Sequence, residues 1–263
     1  AEGGQVTMRR NTVSNNAVTG ASGNRQGGGV YVAHAAVTAT NNVIADNSAY
    51  LGGGFAAIAN NTQLTASHNT IINNAAAHGI GGGALFVNNA NNVQVTFRNN
   101  IVSGSQKYQI FEDFGAANQG QVIKSSIANN LFWNSQNGAY FNYVSNGLND
   151  AAGVNAHSSV NGSSNIDGSP DFVDENTHNL ILANTSAAID QASTGQVEDK
   201  QRAVRDNQPD IGAYEYATTP VIKSPVYRFW STKDRSHFYT IGIHEKNSIL
   251  KSYLPWDWRY EYI

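Results

Sequence analysis

Residues 37–44 read VTATNNVI, residues 64–71 LTASHNTI and residues 95–102 VTFRNNIV. Two looser copies flank them, VTMRRNTV at 6–13 and SSIANNLF at 125–132. Aligned on one asparagine, the rows are anchored at Asn11, Asn42, Asn69, Asn100 and Asn130, with spacings of 31, 27, 31 and 30 residues. A period of this length marks a repeat architecture, in which each copy can bury its apolar side only by stacking on the next. Five residues before the anchor stand Val6, Val37, Leu64, Val95 and Ser125, and three before it Met8, Ala39, Ala66, Phe97 and Ile127. That alternation has the period of two of a strand. Two residues after the anchor come Val13, Ile44, Ile71, Val102 and Phe132, so a second short strand follows a corner.

A third strand per repeat is marked by the triplets Gly27–Gly29, Gly52–Gly54 and Gly81–Gly83, each leading into an apolar stretch such as Val30, Tyr31 and Val32 or Leu85, Phe86 and Val87. Three short strands per turn describe an all-β solenoid. The rows predict two interior columns, Val37 with Leu64 and Val95, and Ile44 with Ile71 and Val102. Asparagine suits the corners, because it tolerates left-handed backbone and its amide can bond from turn to turn. The glycine triplets supply backbone angles barred to other residues, or let adjacent turns approach closely. A phosphate-binding role for them lacks the required strand-to-helix context. No segment holds a 3.6-residue period, so helices are not expected.

The chain has 263 residues, a formal net charge of -3 and 13% charged side chains. It therefore carries no basic field to attract nucleic acid or anionic lipid, and nucleic acid is not an expected partner. The absence of cysteine excludes disulfides and thiolate metal sites. No apolar run approaches the ~20 residues of a membrane-spanning helix. The repeat is already running at Val6, which reads as a processed or truncated start. Residues 1–150 carry 11 charged side chains and the 66 residues from 151 to 216 carry 13. The expected division is 1–150 for the regular coils, 151–216 for irregular final coils, and 217–263 for a small, incomplete, aromatic-rich domain.

The GGG-apolar and TxxNN-apolar rows over residues 3–140 resemble the right-handed parallel β-helix repeats of bacterial surface proteins and of pectate-lyase-like enzymes. IDGSPDFVD at 166–174, ANTSAAID at 183–190 and PDIGAYEY at 209–216 resemble the end of a choice-of-anchor Q domain. That resemblance implies an exported, extracellular or cell-surface protein. Residues 225–250, with His237, Phe238, Tyr239 and Thr240, resemble a bacterial secreted repeat known by its His-Phe-Tyr-Thr motif, for which no activity is implied.

Candidate chemistry is sparse. Asp167, Asp171, Asp174 and Glu175 concentrate hard oxygen ligands that could hold calcium, but their setting also suits turns on a solvated surface. Otherwise no cofactor is expected. The seven histidines show neither HxH nor HExxH spacing, so zinc is not expected. Glu198, Asp199, Lys200, Arg202, Arg205, Asp206 and Asp210 read as a salt-bridged loop, with Asp210 bonding backbone before Ile211. Residues 221–263 hold ten aromatics, and among them Trp230, Tyr239, Trp256 and Trp258, with His237, are candidate carbohydrate-binding residues. Aromatic faces suit sugar rings, yet a domain this small also needs aromatics to make a core. No row aligns a carboxylate pair or a basic ladder on one face. The expectation is a non-enzymatic structural protein, a stalk, adhesin or fibre subunit. Its rivals are a polysaccharide lyase or hydrolase and a C-terminal carbohydrate-binding module. The expected partners are surface polysaccharide and other copies of the chain, stacked head to tail through uncapped ends.

Overall fold

A computed structural model of the chain describes residues 3–19, 25–88, 93–114, 124–193, 196–216, 227–231, 233–240, 243–252 and 258–261. It divides into two compact units, Ala1–Tyr216 and Ala217–Ile263. The first unit is a parallel β-solenoid with three sheets. The first sheet stacks β1 (Gln5–Arg9), β4 (Ala36–Thr40), β8 (Gln63–Ser67), β12 (Gln94–Arg98), β15 (Ser126–Ala128) and β18 (Asn161–Ser163). Beyond the asparagine corner, the second stacks β2 (Thr12–Ser14), β5 (Val43–Ala45), β9 (Thr70–Ile72), β13 (Ile101–Ser103), β16 (Leu131–Trp133) and β19 (Ile166–Asp167). The third holds β3 (Val30–Ala33), β7 (Phe55–Ile58), β11 (Gly81–Asn88), β14 (Tyr108–Asp113) and β17 (Gly138–Phe141). Two bridging strands, β6 (Ser48–Ala49) and β10 (Ala75–Ala76), pair at a further corner.

Register follows the repeat. Val37 pairs with Leu64 and Leu64 with Val95, while Ile44 pairs with Ile71 and Ile71 with Val102. All six are buried in one continuous interior cluster. The residue before each anchor turns the chain through left-handed backbone, with φ of 60° at Arg10, 55° at Asn41, 52° at His68 and 54° at both Asn99 and Asn129. The anchors then form a ladder. Asn69 Oδ1 accepts from both the backbone N and Nδ2 of Asn42, at 2.9 Å each, and Asn100 Oδ1 does the same for Asn69 at 2.9 and 3.0 Å. Spare Nδ2 hydrogens bond backbone carbonyls, as from Asn69 to Ala39 O at 3.0 Å. The glycine triplets act in both expected ways. Gly52 has φ +65°, and a Cβ on Gly53 would lie 2.3 Å from Ala75 O.

Two helices correct the expectation of none: α1 (Ala151–Ala156) and α2 (Ile243–Ser252). α1 begins at Asp150, whose side chain accepts from Gly153 N, and buries Ala151 and Val154. It packs on β17, β18 and β19, the last strand of each of the three sheets, so it covers the end of the interior column. It also terminates the ladder. Asn165 bonds Asn155 Oδ1 through its backbone N at 3.0 Å and its Nδ2 at 2.8 Å. A head-to-tail stack needs an open cross-section at both ends, and α1 closes this one.

The outer face of the second sheet is apolar too. Val43, Ala45, Ile72, Ile101 and Leu131 are buried there beneath a belt made by residues 172–193 and 196–216. The belt begins with an antiparallel hairpin, β20 (Phe172–Asp174) and β21 (Asn179–Leu182), which contributes Phe172, Leu180 and Leu182. Ile211 and Ala213 complete the second apolar layer. The second unit is a small antiparallel sheet of β22 (Tyr227–Ser231), β23 (Ser236–Thr240) and β24 (Trp258–Glu261), together with α2. No helix among the described residues is long and apolar enough to cross a membrane.

Candidate functional site

In the second unit, strand alternation sorts side chains by face. Phe229 is fully buried and packs against Phe238, its cross-strand partner. One residue on, Trp230 pairs with His237 on the opposite face, with ring centroids 4.7 Å apart. Tyr239 extends that row, its ring 6.1 Å from His237 and 55% exposed. Arg228 Nη2 donates to His237 Nε2 at 2.6 Å, which orients the imidazole. Three of the five candidate carbohydrate-binding residues, Trp230, His237 and Tyr239, thus lie side by side. Trp258 pairs with Ser231, whereas Trp230 pairs with Arg259 across the same two strands. Trp256 lies outside the described residues.

The three candidate calcium ligands have three separate sets of partners. Both oxygens of Asp167 accept from Ala151 N, at 3.1 and 3.0 Å. Asp171 accepts from Ser169 Oγ. Asp174 Oδ1 accepts from Asn176 N and Thr177 N within the hairpin of β20 and β21, while Glu175 accepts from Asn73. No group of three or more His, Cys, Asp or Glu side chains able to hold a metal occurs among the described residues. Asp171 and Asp174 bond within their own turns, whereas Asp167 bonds the first residue of α1 and Glu175 reaches Asn73 on the solenoid.

The charged loop at 198–210 is salt-bridged, and it encloses Asp199, Arg205 and Asp210 while Arg202 and Asp206 stay exposed. Arg205 is enclosed and donates to Glu215 at 2.7 Å, to Asp210 O at 3.1 Å, to Gly212 O at 2.7 Å and to Asn41 Oδ1 at 3.2 Å. Burial pulls the Arg205 guanidinium down, against the raising influence of Glu215. Asp210 accepts from the backbone of Asp190 and Tyr216, and burial lifts its pKa to about 6. Asn41 belongs to the corner of the solenoid, so this network fastens the belt to the coils. Gly212 N bonding Asn99 O at 2.9 Å, and Ala213 N bonding Thr70 Oγ1 at 3.1 Å, continue the seam.

A second enclosed acid was not singled out from sequence. Glu112 stands where Val87 stands one turn earlier, inside the solenoid. Its carboxyl accepts from Ser125 Oγ, from Ser125 N at 3.1 Å and from Tyr140 OH. Burial raises its pKa despite those bonds. Being fully buried, it cannot touch a polymer.

An open concavity in the first unit was missed as well. A pocket of about 240 Å³ lies at the corner between β16 and β17, lined by Trp133, Asn134, Asn149, Asp167 and Gln109 among others. Its sequence signal is slight. The residues in register with Trp133 are Ser14, Ala45, Ile72 and Ser103, so an outward-facing tryptophan breaks the row.

A family model described as a domain of unknown function (DUF5648) matches residues 190–263. That stretch takes in both the Arg205–Glu215 network and the whole second unit. No curated protein and no solved structure matches the chain.

Proposed function

We propose that this is a non-catalytic, extracellular or cell-surface protein of the adhesin or stalk kind, in which a rigid solenoid accompanies a carbohydrate-binding C-terminal unit. The observation that carries this reading is the sorting of aromatic side chains in that unit. Phe229 supplies the core, while Trp230, His237 and Tyr239 share the other face, where a core requires none of them. Adjacent aromatic faces edged by polar groups are surfaces on which the apolar faces of sugar rings pack. The solenoid supports a structural role, because stacked turns tied by asparagine ladders make a stiff element. The resemblances to choice-of-anchor Q and His-Phe-Tyr-Thr sequences support export.

The test is co-sedimentation of the full chain with insoluble cell-wall, capsule and plant polysaccharides. Trp230→Ala and Tyr239→Ala are expected to weaken retention by about tenfold, the consequence of losing ~1.4 kcal/mol of stacking. Retention unchanged by both substitutions would overturn the assignment, as would the absence of retention on every polymer. Release of reducing or unsaturated sugar from any of these polymers would favour the rival lyase or hydrolase reading.

A further inference from the structure

The pocket beside β16 has a structural origin in the repeat itself. A second asparagine ladder runs at the corner after the second sheet, where Asn16 bonds Asn47 Oδ1 and Asn47 bonds Asn74 Oδ1. Backbone bonds carry the same register onward from Asn74 to Ser105 and from Ser105 to Ser135. Serine is too short to continue the ladder, and Ser105 Oγ is buried without a partner. At the last rung, Gln109 reaches across from β14 instead. Its Nε2 donates to Trp133 O at 2.7 Å, the same carbonyl position, two residues before the rung, that Asn74 Nδ2 satisfies at Ile72 O. Its Oε1 has no partner. The third sheet ends at β17 and β19 is only two residues long, so no further turn among the described residues covers this corner.

What the corner leaves is a hollow with one apolar wall and several hydrogen-bonding groups. Trp133 is 44% exposed at its rim, and the amides of Asn134 and Asn149 and the carboxylate of Asp167 line it. An aromatic ring beside a carboxylate and two amides meets both needs of a pyranose. The ring stacks on the sugar's C–H face, the carboxylate accepts from a pair of hydroxyls, and the amides donate and accept beside it. Among the described residues the one charged side chain in the lining is the acidic Asp167, and Asp150 adjoins it. A uronic or sulfated sugar would meet like charge there.

We propose that this corner pocket, with Trp133, Asp167, Asn134 and Asn149, binds a single neutral pyranose residue. This site lies in the first unit and does not rest on the carbohydrate-binding reading of the second. The volume admits one sugar ring rather than a chain, so the ligand is a terminal residue or a side branch.

The experiment is a titration of the full chain with methyl glycosides of glucose, galactose, mannose and N-acetylglucosamine, and with methyl glucuronide. It is followed by ligand-observed NMR and tryptophan fluorescence at concentrations up to the order of tens of millimolar. At least one neutral glycoside is expected to bind saturably and glucuronide not to bind. Trp133→Ala and Asn149→Ala should each weaken the neutral ligand by about tenfold or more. Both side chains are exposed, so the melting temperature should not change. Asp167→Asn, which keeps an acceptor for Ala151 N, should admit glucuronide, a gain that a merely structural role would not produce. Trp230→Ala should leave this binding untouched, which separates the two sites. Absence of saturable binding by any neutral glycoside would overturn the proposal. So would binding that survives both Trp133→Ala and Asn149→Ala, or glucuronide binding by the unaltered protein.

Discussion

Replacing Asn69 by alanine tests whether the asparagine ladder holds the coils together. Asn69 is fully buried, and its side chain takes part in four hydrogen bonds. It accepts from Asn42 N and Asn42 Nδ2, both at 2.9 Å, and donates to Ala39 O and Asn100 Oδ1, both at 3.0 Å. Asn42 Nδ2 keeps a second acceptor, Met8 O, and Asn100 Oδ1 still accepts from Asn69 N. The Asn42 backbone N–H loses its acceptor inside a closed corner. Leaving one buried donor unpaired costs about 1–3 kcal/mol, and the other bonds add roughly 0.5–1.5 kcal/mol each. The expected loss is therefore about 4 kcal/mol, or a fall of ~8–16 °C in the melting temperature for a unit of this size. Asn69→Asp refines the test. It sets a carboxylate oxygen against Ala39 O and Asn100 Oδ1, two acceptors, so at neutral pH it should be worse than alanine. Its folded-state pKa is then raised, and stability should return as pH falls through that pKa, because the protonated acid can donate one bond. Denaturant unfolding followed by far-ultraviolet circular dichroism, from pH 4 to pH 8, measures both. A loss under about 1 kcal/mol for Asn69→Ala, or an Asn69→Asp variant indifferent to pH, would refute the reasoning. Asn11→Ala, at an exposed rung, serves as the mild control.

Three further outcomes are expected. His68 is held neutral by burial, with Arg205 and Arg98 adding to the effect, and its pKa is lowered to about 3. Its contribution is complete above the unfolded value of 6.5 and is lost as pH falls from there toward 3. Asp210, raised to about 6, acts oppositely over a smaller interval. His68→Asn restores the residue found at Asn41, Asn99 and Asn129 and should flatten the acid limb of a plot of melting temperature against pH. Glu112→Gln should leave stability near that of the parent at pH 4 and exceed it increasingly as pH rises above 4.5, because the parent loses stability as pH climbs through the raised pKa. Matching melting curves at pH 8 would show that Glu112 is not constrained as described. Arg205→Ala should cost about 3–5 kcal/mol by stranding Glu215 and expose the 190–216 belt to limited proteolysis, which mass spectrometry of the fragments would locate.

The period of the asparagine anchors, the alternation on either side of them and the glycine triplets were enough to determine a parallel solenoid, its register and its two interior columns. These are local signals repeated at a fixed interval, and stacking multiplies each one. The left-handed corners were legible for the same reason, since Asn41, Asn99 and Asn129 each stand beside their anchor. The sequence also marked Trp230, His237 and Tyr239, as part of an aromatic-rich stretch, but that they share one face of a sheet comes from the pairing of two strands.

The rest depended on contacts between residues far apart in the chain. α1, with the sequence AAGVNA, has no periodic signature and is too short to form by propensity. It exists because the last coil offers Ala151 and Val154 an apolar end to cover, and Asn155 a ladder to complete. Arg205 and Asp210 look like surface charges until the belt folds over the second sheet and encloses them with Asn41, which is 164 positions from Arg205. Glu112 reads as a polar residue at a strand end until Tyr140 and Ser125 close around it. The corner pocket is the furthest from sequence reading. It arises where serine replaces asparagine at two rungs, where Gln109 crosses from another sheet, and where no further turn follows. The serines and Trp133 break their rows along the chain, but that these breaks meet Gln109 and Asp167 around one hollow is a packing outcome in three dimensions.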